Sequence, residues 1–344
     1  MRAIDIDVTL ACARRWNEGG TVVTADLGDD TFVRPVRTVG RHPYRFVYDP
    51  IALLKLLWHN DVDIIDVHEE PASLAHAEVR LLALLCGHRR TPMMFYGAQN
   101  IAKRYPWPFR LFEQRAFRRC AGTYVCNEEA GKIFRDKGFS GAVRLIGLGV
   151  DVTRFTPRST SDTVGPLSVG YVGRLEEHKG VRVAIDAVTG TTHHLHVYGT
   201  GPHAETLRTH ASQNHAPVTF HGALPHDDLP AVYRTFDVLV VPSQIRANWM
   251  EQFGRVVVEA MASGVPVIAS NAGALPEVLG DAGVVVAPDD ADAWRQAIDD
   301  LAGRPDRRAE FSANGVRRAA HYSWASIAQE HVDLYRAVAN GVRA

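Results

Sequence analysis

The stretch that decides the fold is Asn248-Trp-Met-Glu-Gln-Phe-Gly-Arg-Val-Val-Val-Glu-Ala-Met-Ala-Ser-Gly-Val-Pro-Val-Ile-Ala-Ser270. Gly254 opens an apolar segment, Val256 to Met261, that is typical of a helix. Ser263-Gly264 ends this segment, and Val265 to Ala269 is typical of a buried strand. A glycine at a helix start lets a ligand approach free backbone N–H groups, which favour anions. The stretch therefore predicts a loop–helix–strand unit that binds an anion.

Two carboxylates flank this predicted anion site. Glu251 lies in the polar run before the helix, and Glu259 lies inside the helix among apolar neighbours. An unpaired carboxylate is expensive in apolar surroundings. An ordinary unit with two solvated glutamates is therefore the less favoured interpretation.

Length and composition bound the class of protein. The 344 residues suggest about two domains. The net charge of −1 argues against a general binder of nucleic acid or acidic membranes. No apolar run has the length of a membrane span, and no signal-peptide core opens the chain. The cysteines show no CxxC spacing, which predicts reduced thiols and a cytoplasmic protein. A peripheral contact of the protein with the inner face of the membrane stays open. The cysteines are Cys12, Cys86, Cys120 and Cys126.

Two series of alternating strands and helices predict an α/β fold with two doubly wound, Rossmann-like domains facing a central cleft. The first series begins with a strand at Asp7 to Ala11, and a polar stretch near 149–166 separates it from the second. The predicted division is a first Rossmann-like domain at 1–150, a linker at 151–166, a second Rossmann-like domain at 167–320 and a C-terminal helix at 321–344 that packs back on the first domain.

Glycines and polar residues follow the strands of the second series, and such strand ends meet at one crevice of a doubly wound sheet. They are Gly173-Arg174, Gly199-Thr-Gly201, Ser243 and the Glu251–Glu259 unit. Arg174 and Lys179, together with the helix start at Gly254, predict a diphosphate clamp, because cations and backbone donors stabilise phosphate charge. A surface ion pair for Arg174 and a solvated helix start for Lys179 remain the alternatives.

These motifs, taken together, resemble a known family. They are Gly173-Arg174-Leu175 with Lys179-Gly180, Glu251-x7-Glu259, Ala262-x-Gly264-x-Pro266-Val267, and Gly149-Val-Asp151 with Phe155 and Pro157. They resemble the retaining GT-B glycosyltransferases of the glycosyltransferase-4 family, the group 1 glycosyltransferases, over roughly residues 40–340. The resemblance implies transfer of a sugar from a UDP- or GDP-sugar to an acceptor, with retention at the anomeric carbon and without a bound metal or a cofactor.

The resemblance also implies residue roles. Arg174 and Lys179 would hold the diphosphate, Glu251 would contact the donor sugar, and Glu259 would accept hydrogen bonds from the ribose hydroxyls. The leaving phosphate would take the acceptor proton in a front-face attack. The remaining donor-binding positions are Gly173, Gly199, Leu224, Phe253, Gly254, Arg255 and Val256.

The acceptor half of the sequence departs from the family pattern. Relatives commonly carry a histidine after the strand near residue 95; here His68 is the nearest substitute, and a structural role for it is favoured. Glu69 and Glu70 are expected to meet acceptor hydroxyl or amine groups, with solvated charge as the alternative, and Gln99 and Asn100 complete the set. The acceptor stays open among a secondary metabolite, a lipid carrier and a polysaccharide. The strand, Gly-rich loop and helix that usually open the family are not recognised near Glu18-Gly-Gly20, which favours a truncated start.

Other interpretations of the sequence are weaker. Gly199-Thr-Gly201-Pro202 lacks the last glycine of a dinucleotide fingerprint, and no acid set supports a nucleotide-sugar epimerase. A donor-binding but inactive partner subunit stays open, as does the oligomeric state. Basic and aromatic residues are interleaved over Asn100–Arg119, a pattern that can indicate a membrane surface or an acidic acceptor. A helix with core aromatics and a solvated basic face is favoured. The run His193-His194-x-His196 has no metal-ligand spacing.

Overall fold

The computed structural model shows two compact α/β units. One comprises Met1–Ile146 together with Ala328–Ala344, and the other comprises Gly147–Ile327. The structure describes residues 6–18, 21–25, 31–59, 61–157 and 164–341.

The border between the units lies earlier than the domain border expected from the sequence. Residues 147–157, expected in the first domain and the linker, belong to the second unit. The physical reason is Phe155, which is buried and packs edge-on against Tyr233 with ring centroids 5.7 Å apart. The central part of the predicted linker, residues 158–163, lies outside the described residues.

Short strands precede the first helix of the first unit. They are β1 (Leu10–Ala13), β2 (Arg15–Glu18), β3 (Thr21–Thr24), β4 (Val33–Val36), β5 (Thr38–Val39) and β6 (Val47–Tyr48). β1 pairs with β4 in parallel, whereas β2–β3 and β5–β6 are antiparallel pairs. The strand expected to begin at Asp7 begins at Leu10, whose N–H donates to the Phe32 carbonyl at 3.0 Å. Gly19 and Gly20 belong to the segment in which the Gly-rich loop of the family was sought. They lie outside the described residues.

A four-stranded parallel sheet forms the centre of the first unit. Its strands are β7 (Ile65–Val67), β8 (Met93–Gly97), β9 (Gly122–Val125) and β10 (Ala142–Leu145), in the order β10–β9–β8–β7. Met93, Met94 and Phe95 of β8 are fully buried, as expected for a strand covered on both faces. The helices of this part are α1 (Pro50–His59), α2 (Leu74–Leu85), α3 (Phe109–Arg119) and α4 (Glu128–Asp136).

A six-stranded parallel sheet forms the centre of the second unit. Its strands are β11 (Ser168–Val172), β12 (His194–Tyr198), β13 (Val218–Gly222), β14 (Val238–Val241), β15 (Val267–Ser270) and β16 (Gly283–Val286). The spatial order β13–β12–β11–β14–β15–β16 reverses its direction between β11 and β14. This is the doubly wound order, and the prediction of such a sheet is confirmed. Ligands of these sheets bind at the carboxyl ends of the strands next to the reversal.

Helices flank the second sheet and close the chain. They are α5 (Val181–Val188), α6 (Ala204–Gln213), α7 (Leu229–Tyr233), α8 (Arg255–Ala262), α9 (Leu275–Leu279), α10 (Ala291–Gly303), α11 (Pro305–His321) and α12 (Trp324–Ala339). The helix expected over Asp227–Thr235 is shorter, because a 3-10 turn at His226–Asp228 precedes α7. Helix α9 was not predicted.

Most of helix α12 belongs to the first unit. The Tyr335 hydroxyl donates to Asp66 Oδ2 of β7 at 2.6 Å, and His331 packs edge-on against Tyr124 of β9 with ring centroids 4.6 Å apart. These contacts agree with the expectation that the C-terminal helix packs on the first domain. In the described part of the chain, no helix has the length and apolar character needed to cross a membrane.

Candidate functional site

The loops that follow β11 and β12 touch each other through their backbones. Gly173 and Gly199 have φ values of +155° and +143°. The Gly199 N–H donates to the Gly222 carbonyl at 2.7 Å, and a Cβ on Gly199 would collide with the Gly173 carbonyl oxygen. Glycine is therefore required at Gly199 by space as well as by conformation. The predicted glycines thus lie together at the carboxyl edge of the second sheet.

Helix α8 begins at a glycine, as predicted. Gly254 has φ +84° and precedes the helix without a side-chain cap. The Val257 N–H donates to the Gly254 carbonyl at 2.9 Å, whereas the N–H groups of Arg255 and Val256 precede the first intrahelical bonds. Arg255 is exposed and Val256 is partly buried in this first turn. A Cβ on Gly254 would press against the Leu275 side chain. The helix start is therefore suited to a ligand that binds backbone N–H groups.

Lys179 and Glu251 form an ion pair in front of this helix. Lys179 Nζ lies 2.7 Å from Glu251 Oε2, and the Ser243 hydroxyl donates to the same oxygen at 3.1 Å. The ammonium group also lies 4.8 Å from the centre of the Trp249 ring, which packs against His178 with centroids 3.9 Å apart. Both partners of the ion pair keep some exposure, 23% for Lys179 and 14% for Glu251. The predicted diphosphate cation and the predicted sugar-binding carboxylate are thus neighbours.

Arg174 forms an ion pair with Glu176, and its side chain is 65% exposed. The other carboxylate oxygen of Glu176 lies 3.0 Å from His178 Nε2. The ion pair that the sequence left open as the alternative for Arg174 is therefore present. Arg174 also keeps the predicted position, directly after β11 and Gly173, with a solvent-accessible guanidinium group.

Glu259 is buried and has two side-chain neighbours that the sequence analysis did not name. The Tyr233 hydroxyl donates to Glu259 Oε2 at 2.8 Å, and His226 Nε2 lies 3.5 Å from Oε1. Burial raises the pKa of Glu259, and the Tyr233 hydrogen bond and His226 oppose this shift. The apolar surroundings of Glu259 signalled a need for partners, but nothing in the sequence indicated Tyr233 or His226.

Two further donor-side residues, Phe253 and Leu224, differ in the exposure of their side chains. Phe253 is buried, with its ring edge-on to Tyr322 at 5.5 Å between centroids, so its side chain belongs to the core. Its predicted role concerns the backbone alone. Leu224 is 37% exposed and follows Gly222, which has φ +79°. The described donor-side residues of the prediction all belong to the second unit.

On the acceptor side, His68 and the two glutamates follow β7 in the first unit. The His68 ring stacks on Tyr96 with centroids 4.3 Å apart, and its Nδ1 lies 2.8 Å from the Tyr124 hydroxyl. These contacts give His68 the structural role that the sequence favoured, although its side chain remains exposed at the strand end.

Glu69 and Glu70 are partly buried, in contrast to the solvated alternative. The Tyr48 hydroxyl lies 3.4 Å from Glu69 Oε1, and the Ala98 N–H donates to Glu70 Oε1 at 3.2 Å. Burial raises the pKa of both Glu69 and Glu70 to about 7, and the charge of Glu70 contributes to the shift of Glu69. The Gln99 N–H also bonds Glu70 and lowers its pKa, opposing burial. Asn100 is 3% exposed, so its side chain is a part of the packed interior.

The histidine run at 193–196 and a cavity in the first unit do not contribute to this site. His194 Nε2 contacts the Thr219 hydroxyl at 2.8 Å, and His196 Nδ1 lies 3.1 Å from His221 Nε2. Among the described residues, no group of three or more metal-ligating side chains is arranged to hold a metal ion. A cavity of about 700 Å³ lies at the C-terminal ends of α3, α4 and α12, and none of the predicted site residues lines it.

Comparison with known proteins connects this geometry to a family. Residues 155–318, which include the Lys179–Glu251 pair and helix α8, match the family "Glycosyl transferases group 1". Over this stretch the chain is similar to the group 1 glycosyltransferases. As a curated relative, D-inositol 3-phosphate glycosyltransferase of Corynebacterium kroppenstedtii is 33% identical over 244 residues, covering 62% of this chain and 53% of the relative. Glycogen synthase of Mycobacterium tuberculosis is 33% identical over 216 residues, covering 58% and 50%. The chain thus spans about half the length of these relatives.

Solved structures show that the chain has the GT-B fold. HepE from Anabaena, solved in complex with UDP, superposes with a TM-score of 0.70 at 19% identity, covering 83% of this chain and 82% of HepE. Sucrose-phosphate synthase from Thermosynechococcus elongatus gives a TM-score of 0.65 at 23% identity, covering 83% and 76%. At these identities the likeness concerns the fold alone.

Proposed function

We propose that this chain transfers a sugar from a UDP- or GDP-sugar to a hydroxyl-bearing or amine-bearing acceptor. The observation that carries the proposal is the Lys179–Glu251 ion pair in front of the uncapped start of helix α8. A cation, a carboxylate and free N–H groups at one sheet edge match a diphosphate joined to a sugar. The UDP and UDP-glucose named in the HepE structures support this class of donor.

Donor binding exchanges ion-pair partners. The diphosphate replaces Glu251 as the partner of Lys179, and it replaces Glu176 as the partner of Arg174. Each cation thereby keeps a counter-charge, and the Glu251 carboxylate accepts hydrogen bonds from the sugar hydroxyls in place of the Lys179 ammonium group. Glu259 Oε1, which faces His226, accepts from the ribose, while Oε2 stays bonded to Tyr233.

The reaction breaks the bond between the anomeric carbon and the phosphate oxygen. Arg174, Lys179 and the N–H groups of α8 stabilise the charge that develops on this oxygen. The acceptor oxygen bonds to the anomeric carbon from the same face, and its proton passes to the leaving phosphate. From this route we infer that the configuration at the anomeric carbon is retained. We also infer that the reaction needs no metal and no further cofactor, because the two side-chain cations supply the positive charge.

Glu69 and Glu70 are the proposed acceptor contacts in the first unit. Because their pKa values lie near 7, either carboxyl can donate or accept a hydrogen bond at neutral pH. A secondary metabolite, a lipid carrier and a polysaccharide all fit such contacts, and the names of the relatives do not converge on one acceptor. A cytoplasmic location of the enzyme is part of the same proposal.

A panel of UDP- and GDP-sugars tests the function. Turnover or slow hydrolysis of one donor is expected, with the anomeric configuration of the product read by proton NMR. Glu259→Ala is expected to weaken donor binding, and Arg174→Ala is expected to lower turnover. Normal kinetics in both variants would contradict the site. Binding of a nucleoside diphosphate without turnover of any donor would favour the second candidate, an inactive donor-binding partner subunit.

A further inference from the structure

Three neighbouring helices of the first unit share an outer surface, here named the three-helix face. Helix α1 packs beside α2, and α2 packs beside α3. Their inward residues, among them Leu53, Leu82 and Phe117, belong to the hydrophobic core. The outward residues of these helices define the face.

Large apolar side chains are exposed on two of these helices. Ile51 and Trp58 of α1 are 63% and 73% exposed, and Leu81 and Leu85 of α2 are 56% and 64% exposed. Each pair lies on one side of its helix, because positions four or seven apart share a helical face. A grouping of exposed apolar side chains on adjacent helices marks an interaction surface.

The charge on this face has one sign. In the described part of α1, α2 and α3, every exposed charged side chain is positive. These side chains are Lys55, Arg110, Arg115 and Arg118. The acidic residues of these helices are engaged elsewhere. Glu78 accepts a hydrogen bond from the Tyr48 N–H at 2.8 Å, and buried Glu113 pairs with Lys137 at 2.7 Å.

The junction of α2 and α3 concentrates this positive charge. Burial lowers the pKa of Arg80, and the neighbouring charges of Arg115 and Arg119 lower it further. Arg119 donates to the carbonyls of His88 and Thr91. The Nε atoms of Arg80 and Arg119 are both buried and have no hydrogen-bond partner among the described residues. The junction thus holds neighbouring guanidinium groups whose charges repel one another.

We propose that the three-helix face binds the surface of an anionic lipid bilayer. Tryptophan and leucine side chains would enter the interface, and the arginines would pair with lipid phosphates. A second copy of the chain is a poorer occupant, because a two-fold interface would bring this positively charged face against itself. The net charge of −1 for the whole chain is compatible, since the positive charge is local. This surface is separate from the donor chemistry, and its test does not depend on turnover.

Flotation of the full-length protein with vesicles tests the proposal. Binding is expected to vesicles of phosphatidylcholine with about one third phosphatidylglycerol, but not to phosphatidylcholine alone, and it should weaken with added salt. The double variant Arg115→Gln/Arg118→Gln should lower the partition coefficient about thirty-fold, at about fivefold for each arginine. Trp58→Ser should lower it about tenfold.

Arg317→Gln is the matched control, because Arg317 is an exposed arginine on α11 of the second unit. This variant should bind vesicles as the parent protein does, and circular dichroism should show that all variants are folded. Equal binding to both kinds of vesicle, or unchanged binding of the double variant, would overturn the proposal. A vesicle-free dimer that Trp58→Ser dissociates would overturn it in favour of self-association.

Discussion

Lys179 Nζ and Glu251 Oε2 lie 2.7 Å apart, although 72 residues separate the two side chains along the chain. One residue belongs to the 3-10 turn Glu177–Lys179, and the other precedes helix α8. Each thereby neutralises the other in the absence of donor. The ion pair thus reduces the cost of holding a cation and a carboxylate at the site where we propose that a diphosphate and a sugar bind.

Replacing Lys179 should weaken binding of the diphosphate and leave the fold intact. Lys179→Met removes the cation but keeps most of the side-chain volume, so we expect kcat/KM for the donor to fall by about 100-fold or more. The affinity for a nucleoside diphosphate should fall in parallel, measured by calorimetry. Lys132→Met is the control, because Lys132 is exposed on α4 of the first unit. Equal loss in both variants would contradict the assignment.

Tyr233 is expected to support Glu259. Tyr233→Phe removes the hydroxyl that bonds buried Glu259 Oε2, so the free energy of unfolding should fall by about 1–3 kcal/mol. The pKa of Glu259 should rise further, because this hydrogen bond opposes the effect of burial. Urea unfolding at several pH values measures both effects. Tyr198→Phe serves as the control, since the Tyr198 ring stacks on His221 and is partly exposed. An equal decrease in the free energy of unfolding of this control would contradict the role of Tyr233.

Gly199 should not tolerate a side chain. A Cβ at this position would meet the Gly173 carbonyl oxygen, so Gly199→Ala should cost about 3 kcal/mol or more of unfolding free energy, or prevent folding. Gly190→Ala is the matched control, because Gly190 also has positive φ, +75°, but has open space around its Cβ position. That control should cost only about 1 kcal/mol. Thermal unfolding compares the two variants. Similar midpoint temperatures would show that the backbone shifts to relieve the predicted collision at Gly199.

Glu69 and Glu70 should make stability depend on pH. Their pKa values rise from 4.5 to about 7 on folding, so the folded state binds more protons than the unfolded state between these values. Their stabilising effect is complete below about pH 4.5 and is lost as the pH rises towards 7, by about 2 kcal/mol for each group. Urea unfolding of Glu70→Gln should show a flatter profile over this range. The control Glu129→Gln, on an exposed position of α4, should keep the profile of the parent protein.

The second sheet was the easier half to predict. Its strands are continuous runs such as Val238–Val241, and every residue of that run is buried. A fully buried parallel strand needs such a run, so the pattern and the structure coincide. The first strands of the chain were harder, because Arg15–Glu18 and Thr21–Thr24 are short and, among the described residues, form a separate two-stranded pair. Their pattern resembles a loop until the pairing is known.

The site was predictable as a set of residues but not as a set of contacts. Glu251, Gly254 and Glu259 lie within one motif, and local spacing was enough to select them. Tyr233 lies 26 residues before its partner Glu259, at a distance set by the packing of α7 and α8 rather than by any local pattern. The ion pair of Arg174 with Glu176 likewise shows that a nearby carboxylate competes for a predicted phosphate ligand.

Helix α12 has a consequence for the order in which the protein can fold during synthesis. The second unit, Gly147–Ile327, is continuous in sequence, whereas the first unit needs both Met1–Ile146 and the residues from Ala328 onwards. Until Tyr335 leaves the ribosome, Asp66 lacks its 2.6 Å hydrogen bond and the adjoining strands lack the helix that covers them. The first unit is therefore completed only after the whole second unit has been synthesised, and part of its sheet stays uncovered until then.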